Sequence, residues 1–450
     1  MIYIQRIKDF KGIVRFICFV SICTTFWCCF ALSFTCVAAE SDIPDTSKAK
    51  NVCLYNLNTQ RTIYSKECDQ TIFPGSAVKM MTGLVVCEMF SDRLGDTVTI
   101  TQEMLTGSSG ANIKLKADMR VTLENLLYGV LCGGGNDAAL SLATHCSGSV
   151  EAFVTLMNDT AKAWGLNNTY FTNPTGLDDA NMYSTLSDIM ILTKKAAGNQ
   201  LYLNASTVAA YDYTPMGTQQ SIRFFNRNSL ISPYYATGYQ NANAQGLIAG
   251  NTDLGGYCVI TYANKKGTDY ICAVMGASEE NDIIYSYEIA NSLLSYSFQQ
   301  FSYTKIIEGG TYIRSVPVEL AMPISSSDGA AIDCIVAEDI YALVPQNVST
   351  DTDLKYKLFY HYDKLHAPLN KGTVIGGIYI TYNGNVITSA RLVAAEDMSA
   401  NDTLKALDDL KLFFTGRIFI MFVVLSIVGV AGYIYFLKPY RRRVLRNKFR

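Results

Sequence analysis

The stretch FPGSAVKMMTGLVVCE, residues 73–88, combines a turn, the start of a helix and a serine–lysine pair. Its Pro-Gly step interrupts regular structure, and the apolar run that follows predicts a buried helix over residues 78–90. Ser76 and Lys79 are then one turn apart on the same face. A serine hydroxyl becomes a nucleophile when a base takes its proton, and a lysine with a lowered pKa can be that base. The alternative is a serine at a helix start followed by a surface lysine, because S-x-x-K is common by chance.

A second stretch, LCGGGNDAA at residues 131–139, follows a helical pattern. Its three glycines allow another backbone or a substrate to approach closely, and Asn136 offers an amide donor and an acceptor. A phosphate-binding loop is not predicted, because no Lys-Ser/Thr pair follows the glycines. A glycine-rich helix end is the alternative.

Further stretches follow in a fixed order: FVTLMNDTAKAWGLNNTYFTNPTGLDDANMYSTLSDI (153–189), NRNSLI (226–231) and GLIAGNTDLGGYCVITYANKKG (246–267). Taken with residues 73–88 and 126–139, they resemble the low-molecular-weight penicillin-binding proteins, which are D-alanyl-D-alanine carboxypeptidases of the serine peptidase class. The resemblance covers residues 50–300. Downstream, HAPLNKGTVIGGIYITYNG and VAAEDM are similar to the β-rich C-terminal domain of that family.

The predicted fold class is α+β, and the resemblance implies a penicillin-binding-protein/β-lactamase-like domain with an antiparallel sheet and a helical subdomain. We place this D,D-peptidase-like domain at residues 45–300, where short β-like runs alternate with helical stretches such as 122–144 and 283–298. Residues 265–268 (KKGT) predict a hairpin turn. Between residues 303 and 398, β-branched runs broken by Gly, Pro, Asn and Asp predict a small all-β domain.

The resemblance also implies a reaction. Ser76 would attack the carbonyl between the two terminal D-alanines of a peptidoglycan stem peptide, with Lys79 as its base. Asn136 matches the asparagine of the family's S-x-N motif and would position the peptide and the lysine. Backbone N–H groups, including that of Ser76, would stabilise the oxyanion. No metal and no cofactor are expected.

Two motifs depart from the family pattern. Gly134 stands where S-x-N has its serine, and Ile248-Ala249-Gly250 stands where the family has K-T-G. Ile248 and Gly250 are therefore candidate substrate-binding positions without the usual cation. We expect weakened carboxypeptidase activity and weak β-lactam binding, both improved by the combined changes Gly134→Ser, Ile248→Lys and Ala249→Thr.

Three other functions stay open at this point. A non-catalytic relative would bind stem peptide or a protein partner at the cell envelope, and a β-lactamase would share the fold but not the appended β domain. A histidine-based triad is disfavoured, because the predicted ectodomain has only His145, His361 and His366. We interpret His145 as structural.

Both ends of the chain point to a membrane. Residues 1–39 have a basic start and an uncharged apolar run, which is typical of a signal peptide, with an uncleaved signal anchor as the alternative. Residues 418–437 give 20 uncharged residues, enough to span a bilayer core of about 30 Å. The basic tail 438–450 is predicted to be cytoplasmic and the main domains extracytoplasmic. Residues 401–416 are predicted to form a juxtamembrane helix.

Charge and cysteine usage exclude other partners. Residues 40–417 carry 26 basic and 38 acidic side chains, a net charge of −12, so nucleic acid is not an expected partner. Eight cysteines lie outside the signal segment without a C-x-x-C pair, which does not favour zinc. Cys53 and Cys68 flank two predicted strands and are candidates for a hairpin disulfide.

Overall fold

The computed structural model describes residues 43–322, 330–350 and 352–437. The chain divides into two units, Met1–Tyr303 with Leu343–Val348, and Thr304–Ala342 with Ser349–Arg450. The predicted signal peptide (1–39) and basic tail (438–450) lie outside the described residues.

The first unit is built on a five-stranded antiparallel sheet. Its strands lie in the order Arg61–Lys66, Asn51–Asn56, Thr268–Ala277, Gly256–Lys265 and Ala244–Thr252. The predicted hairpin at residues 265–268 is confirmed. Its two turn residues, Lys266 and Gly267, have φ angles of +52° and +79°, as a two-residue turn between twisted strands requires.

Helices cover both faces of this sheet. They are Val78–Met89, Leu123–Leu131, Asn136–Ser147, Val150–Ala163, Leu186–Gly198, Gln200–Ser206 and Tyr285–Gln300. The single helix predicted over residues 122–144 is wrong, because the structure divides it into two helices. Gly134, at φ +64°, lies in the break between them.

Short elements complete the first unit. The strand pairs are Thr71–Ile72 with Ser184–Thr185, Thr97–Thr99 with Arg120–Thr122, Ala210–Tyr213 with Ile222–Phe225, and Glu279–Glu280 with Ile283–Ile284. Single 3-10 turns occur at Gly75–Ala77 and Ser91–Arg93.

Two apolar clusters lie on opposite faces of the central sheet. Neighbouring residues Val259 and Ile260 belong to different clusters, as the alternation of side chains along a strand requires. The cluster that contains Ile260 also holds the helix Val78–Met89, whose residues 78–87 are all buried. The helix Val78–Met89 therefore lies in the core of the unit, in the cluster on one face of the sheet.

The second unit contains a six-stranded sheet, and the predicted all-β domain is confirmed. The strand order is Leu354–Tyr360, Val374–Tyr382, Asn385–Ala394, Ala331–Val336, Tyr312–Glu319 and Leu365–His366. A separate two-stranded sheet pairs Phe301–Ile307 with Ile340–Pro345.

Helices Asp402–Thr415 and Arg417–Gly432 follow, and a π-helical turn, Tyr433–Leu437, extends the second of them. By length and composition, Arg417–Tyr435 is one apolar helix able to cross a membrane.

The eight described cysteines are free thiols, so the suggested Cys53–Cys68 disulfide is not present. A hydrogen bond with the Cys68 thiol and burial both raise the pKa of Cys53. The Cys53 side chain belongs to the apolar core and the Cys68 side chain packs against it, as small apolar residues do.

Candidate active site

Ser76 lies in the 3-10 turn Gly75–Ala77, directly before the helix Val78–Met89. The residue is only 9% exposed. Strand residue Gly250 packs against it: a Cβ atom on Gly250 would lie 2.9 Å from Ser76 Cβ and would also collide with the hydroxyl. The predicted Gly250 therefore borders Ser76, and its lack of a side chain leaves room for the Ser76 hydroxyl.

Lys79 is buried one turn after Ser76. Its Nζ donates a hydrogen bond of 2.6 Å to the carbonyl oxygen of Thr175. Burial lowers the pKa of Lys79 to about 8; the Cys258 thiol opposes this shift, and the Arg227 guanidinium adds to it. A substantial fraction of Lys79 is therefore neutral near physiological pH, which is the state that a general base needs.

The Thr175 carbonyl is held by a tight turn. Asn173 Oδ1 accepts hydrogen bonds from the Thr175 N–H (3.1 Å), the Thr175 hydroxyl (2.7 Å) and the Gly176 N–H (2.8 Å). Thr82 Oγ1 donates to the Pro174 carbonyl at 2.7 Å and ties the turn to the helix that carries Lys79. The Thr175 carbonyl was not predicted from the sequence as the acceptor for Lys79, although residues 173–176 (NPTG) are typical of a turn.

Asn136 is the first residue of the helix Asn136–Ser147 and is buried. Its Nδ2 donates to the Ser109 carbonyl at 2.6 Å, and its backbone N–H donates to the Ala111 carbonyl at 2.7 Å. Its Oδ1 has no hydrogen-bond partner in the described part of the chain. Because a buried acceptor without a partner costs free energy, this oxygen is suited to accept a hydrogen bond from a ligand.

The neighbouring Asp137 was not identified from sequence. Its buried carboxylate accepts hydrogen bonds from the N–H groups of Ile113, Leu115 and Ala138, at 2.9 to 3.1 Å. It thereby fixes the segment after Ser109 and Ala111, which are the partners of Asn136. We therefore expect Asp137 to position Asn136 through this segment.

The two degenerate motif positions have different surroundings. A Cβ atom on Gly134 would lie 2.8 Å from Arg227 Cγ, so the Arg227 stem fills the space that a side chain would need. Ile248 is 2% exposed and belongs to the apolar core. Gly134→Ser and Ile248→Lys would thus introduce a clash and a buried cation, which revises our expectation that they restore activity.

Cys258 is a buried thiol beneath the turn that carries Ser76. Burial raises the pKa of Cys258 to about 11, and the Lys79 cation and the N–H groups of Gly250, Ala77 and Ser76 act in the opposite direction. The thiol is therefore protonated near neutral pH and is not a competing nucleophile.

The histidines do not form an alternative site. His145 Nε2 lies 3.2 Å from the Arg93 guanidinium and 3.4 Å from the Asp96 carboxylate, near the C-terminal end of its helix. His361 and His366 belong to the second unit. Across residues 43–322, 330–350 and 352–437, no group of three His, Cys, Asp or Glu side chains is placed to hold a metal ion.

Two family models match the chain. The model described as D-alanyl-D-alanine carboxypeptidase matches residues 37–279, and the model described as penicillin-binding protein 5, C-terminal domain, matches residues 301–400. The two matches follow one another along the chain.

Individual relatives match across both segments. D-alanyl-D-alanine carboxypeptidase DacA of Haemophilus influenzae is 30% identical over 82% of this chain and 91% of its own length. DacF of Bacillus subtilis is 27% identical over 78% of this chain and 86% of its own. The crystal structure of penicillin binding protein 5 from Haemophilus influenzae superposes with a TM-score of 0.62 and 27% identity, covering 79% of this chain and 99% of that one.

Proposed function

This chain belongs to the serine-type D-alanyl-D-alanine carboxypeptidase family, which acts on peptidoglycan, and we propose that Ser76, Lys79 and Asn136 perform its reaction. The observation that carries this assignment is the buried Lys79, with a pKa of about 8, one helical turn after Ser76. Burying a lysine ammonium without a carboxylate partner costs free energy, and this cost lowers the pKa of the lysine. A lysine with such a lowered pKa is typical of a catalytic base.

In the acylation step, neutral Lys79 takes the proton from the Ser76 hydroxyl as Oγ attacks the carbonyl carbon between the terminal D-alanines. Backbone N–H groups, that of Ser76 among them, stabilise the oxyanion. The C–N bond then breaks, and the protonated Lys79 returns the proton to the leaving amine of D-alanine. Ser76 is left as an ester of the shortened peptide.

In the deacylation step, a water molecule takes the place of the leaving D-alanine. Lys79 accepts a proton from this water as the oxygen attacks the ester carbonyl, and the proton returns to Ser76 Oγ when the ester bond breaks. The products are the free enzyme and a stem peptide shortened by one residue.

Asn136 has a positioning role in this proposal. Its Nδ2 is engaged by Ser109, so its buried Oδ1 is the atom that can accept a hydrogen bond from a substrate amide N–H. A stem peptide lying along this side of Ser76 would satisfy that oxygen and be oriented by it.

The second candidate is a non-catalytic relative that binds stem peptide or a protein partner. Gly134 and Ile248 favour it, because the serine and the lysine of two family motifs are missing. The same losses suggest weaker activity and weaker β-lactam binding than in relatives that retain both side chains.

We place the protein at the cell membrane, anchored by the apolar helix Arg417–Tyr435, with residues 45–300 and 303–398 outside the cytoplasm. A membrane-anchored position outside the cytoplasm gives the site access to peptidoglycan. The basic tail after the helix supports this orientation.

The test is D-alanine release from a pentapeptide ending in D-Ala-D-Ala, using the full chain in detergent. We expect release by the parent, loss of release in Ser76→Ala, and unchanged release in Ser47→Ala. Ser47 is a matched control because it is exposed and its hydroxyl donates a hydrogen bond to the exposed Asp45. Undetectable release by the parent would favour the binding role.

A further inference from the structure

Two exposed tyrosines lie on neighbouring segments of the first unit. Tyr170 and Tyr183 face each other across an antiparallel bridge, and their backbones exchange hydrogen bonds of 2.9 and 3.1 Å. Their rings are stacked, with centroids 6.2 Å apart and an interplanar angle of 27°. Tyr170 is 46% exposed and Tyr183 is 44% exposed, so a large part of each side chain remains open to a ligand.

Phe73 extends this pair to a third segment. The register of the strands Thr71–Ile72 and Ser184–Thr185, continued by one position, places Phe73 opposite Tyr183. Residues opposite one another in an antiparallel pair share one face, and Phe73 is 37% exposed. Phe73, Tyr183 and Tyr170 therefore form one row, which we call the aromatic row. At the usual spacing of about 4.8 Å between strands, this row is about 10 Å long.

The aromatic row begins beside the turn that carries Ser76. Phe73 is three residues before Ser76, and its carbonyl oxygen lies against Gly255. A Cβ atom on Gly255 would be 3.2 Å from that oxygen and 3.4 Å from Gly75 Cα. Gly255 follows the end of the strand that carries Gly250. The row is therefore continuous with the side of the candidate site that Gly250 forms.

Two exposed carboxylates, those of Asp178 and Asp253, lie at the Phe73 end of the aromatic row. Asp178 Oδ2 accepts the Leu254 N–H at 2.9 Å, and the exposed Leu254 adds an apolar side chain to this surface. Carboxylates repel a polyanion, but they accept hydrogen bonds from hydroxyl groups. This surface therefore fits an uncharged ligand that has both apolar ring faces and hydroxyl groups.

The glycan strand of peptidoglycan has this chemistry. Its sugar rings present C–H groups on their faces and hydroxyls at their edges, and the carboxyl group of its lactyl substituent is bonded to the stem peptide. Four peptide residues separate that sugar from the bond that Ser76 would attack, a distance of about 13–14 Å when extended. Phe73 Cα is at most about 11 Å from Ser76 Cα, and the aromatic row extends about 10 Å from Phe73. The row is therefore within reach of the sugar that carries the peptide.

We propose that Phe73, Tyr183 and Tyr170 bind the glycan strand that carries the stem peptide, by stacking of its sugar rings on the aromatic row. This inference rests on the proposed function, because it concerns the same substrate and a surface continuous with the same site. It makes a peptide attached to its glycan a better ligand than the free peptide. Because the tyrosine rings are already stacked, little side-chain freedom is lost on binding.

The test compares ligands with and without sugar, using the full chain in detergent with Ser76→Ala in every protein. A disaccharide-pentapeptide, the same pentapeptide alone and peptide-free glycan strands are titrated by calorimetry. We expect the disaccharide to tighten binding of the pentapeptide by about 3- to 10-fold, since part of the aromatic surface is buried under the sugar. The glycan strands should bind without any peptide.

The double variant Tyr170→Ala/Tyr183→Ala should lose both the gain from the disaccharide and the binding of glycan strands. Tyr170→Phe/Tyr183→Phe should keep both, because stacking requires the rings and not their hydroxyls. Tyr362→Ala is the matched control, since Tyr362 is an exposed tyrosine in the second unit. Thermal unfolding of each variant verifies that the fold is retained.

Equal affinity of the parent for both peptides, no binding of any ligand, or a sugar effect that survives in the double alanine variant would overturn the proposal. If the row instead binds a second copy of the chain, glycan binding will be unchanged in that variant and sedimentation velocity will show a lower oligomeric state, which would also overturn it. Glycan binding without pentapeptide binding would support the aromatic row and count against the proposed function. Pentapeptide binding without a sugar effect would count against the aromatic row alone.

Discussion

Lys79 Nζ donates a hydrogen bond to the Thr175 carbonyl oxygen over 2.6 Å, in a site where the lysine is almost fully buried. A carbonyl accepts an N–H from either the ammonium or the neutral amine, so this contact orients Lys79 without fixing its charge. Burial then favours the neutral form. The neutral amine has one lone pair, and in the proposed mechanism this lone pair accepts the Ser76 proton.

The first prediction concerns pH. Because only neutral Lys79 can accept the Ser76 proton, kcat/KM for D-alanine release should rise with pH and level off above a midpoint near 8. Below that midpoint the rate should fall about tenfold for each pH unit, as the protonated fraction grows. A profile from pH 6 to 10 measures this dependence. Lys79→Arg, which stays protonated, should be inactive at every pH, and a flat parental profile would contradict the base role.

The second prediction concerns Gly250. Gly250→Ala would place a methyl group against the Ser76 side chain, so acylation should be lost and the fold destabilised by about 1–3 kcal/mol, as for other overpacked sites. Gly198→Ala is the matched control, because a Cβ there meets no atom within 4 Å. D-alanine release and urea unfolding of both variants decide the point. Full activity in Gly250→Ala would place the Ser76 hydroxyl elsewhere.

The third prediction concerns Gly134. Gly134→Ser places a side chain at φ +64° and against the Arg227 stem, so we expect a loss of about 1–2 kcal/mol from the backbone conformation alone. D-alanine release should not increase, because a serine at this position displaces the Arg227 stem. Adding Ile248→Lys and Ala249→Thr should lower stability further, because the lysine enters the core. Thermal unfolding and D-alanine release measure both effects, and increased activity in the triple variant would show that the family motif can be rebuilt.

The fourth prediction concerns Asp137. Asp137→Ala leaves the buried N–H groups of Ile113 and Leu115 without their acceptor, at a cost of about 1–3 kcal/mol for each unsatisfied group. Asp212→Ala, which breaks an exposed pair with Arg223, should cost less than about 1 kcal/mol. Chemical denaturation gives both values. Equal effects would exclude a positioning role for Asp137.

The fold and the core of the site were predicted from sequence stretches that follow one another in the order of a known family, together with local signals. Ser76 and Lys79 are three positions apart in the chain. The turn residues Lys266-Gly267 between two β-like runs predict the hairpin that the structure shows. Asn136 was identified because it matches the asparagine of the family's S-x-N motif. In these cases neighbours in the chain are also neighbours in space.

The rest of the site depends on contacts between distant segments. Thr175 reaches Lys79 across 96 positions, and Arg227 packs on Gly134 from a separate segment. Neither residue type is unusual for a loop, so neither stands out before folding. A single helix was predicted through Gly134 because the apolar pattern continues on both sides of the glycines, although a glycine-rich helix end was the alternative.

The central claim is that Ser76 is a competent nucleophile despite the two degenerate motifs, and intact mass spectrometry after incubation with a β-lactam tests it most directly. The full chain should gain the mass of one β-lactam molecule, slowly at pH 6 and faster above pH 8, and Ser76→Ala should gain none. An unchanged parental mass after prolonged incubation, or an adduct that persists in Ser76→Ala, would contradict the account.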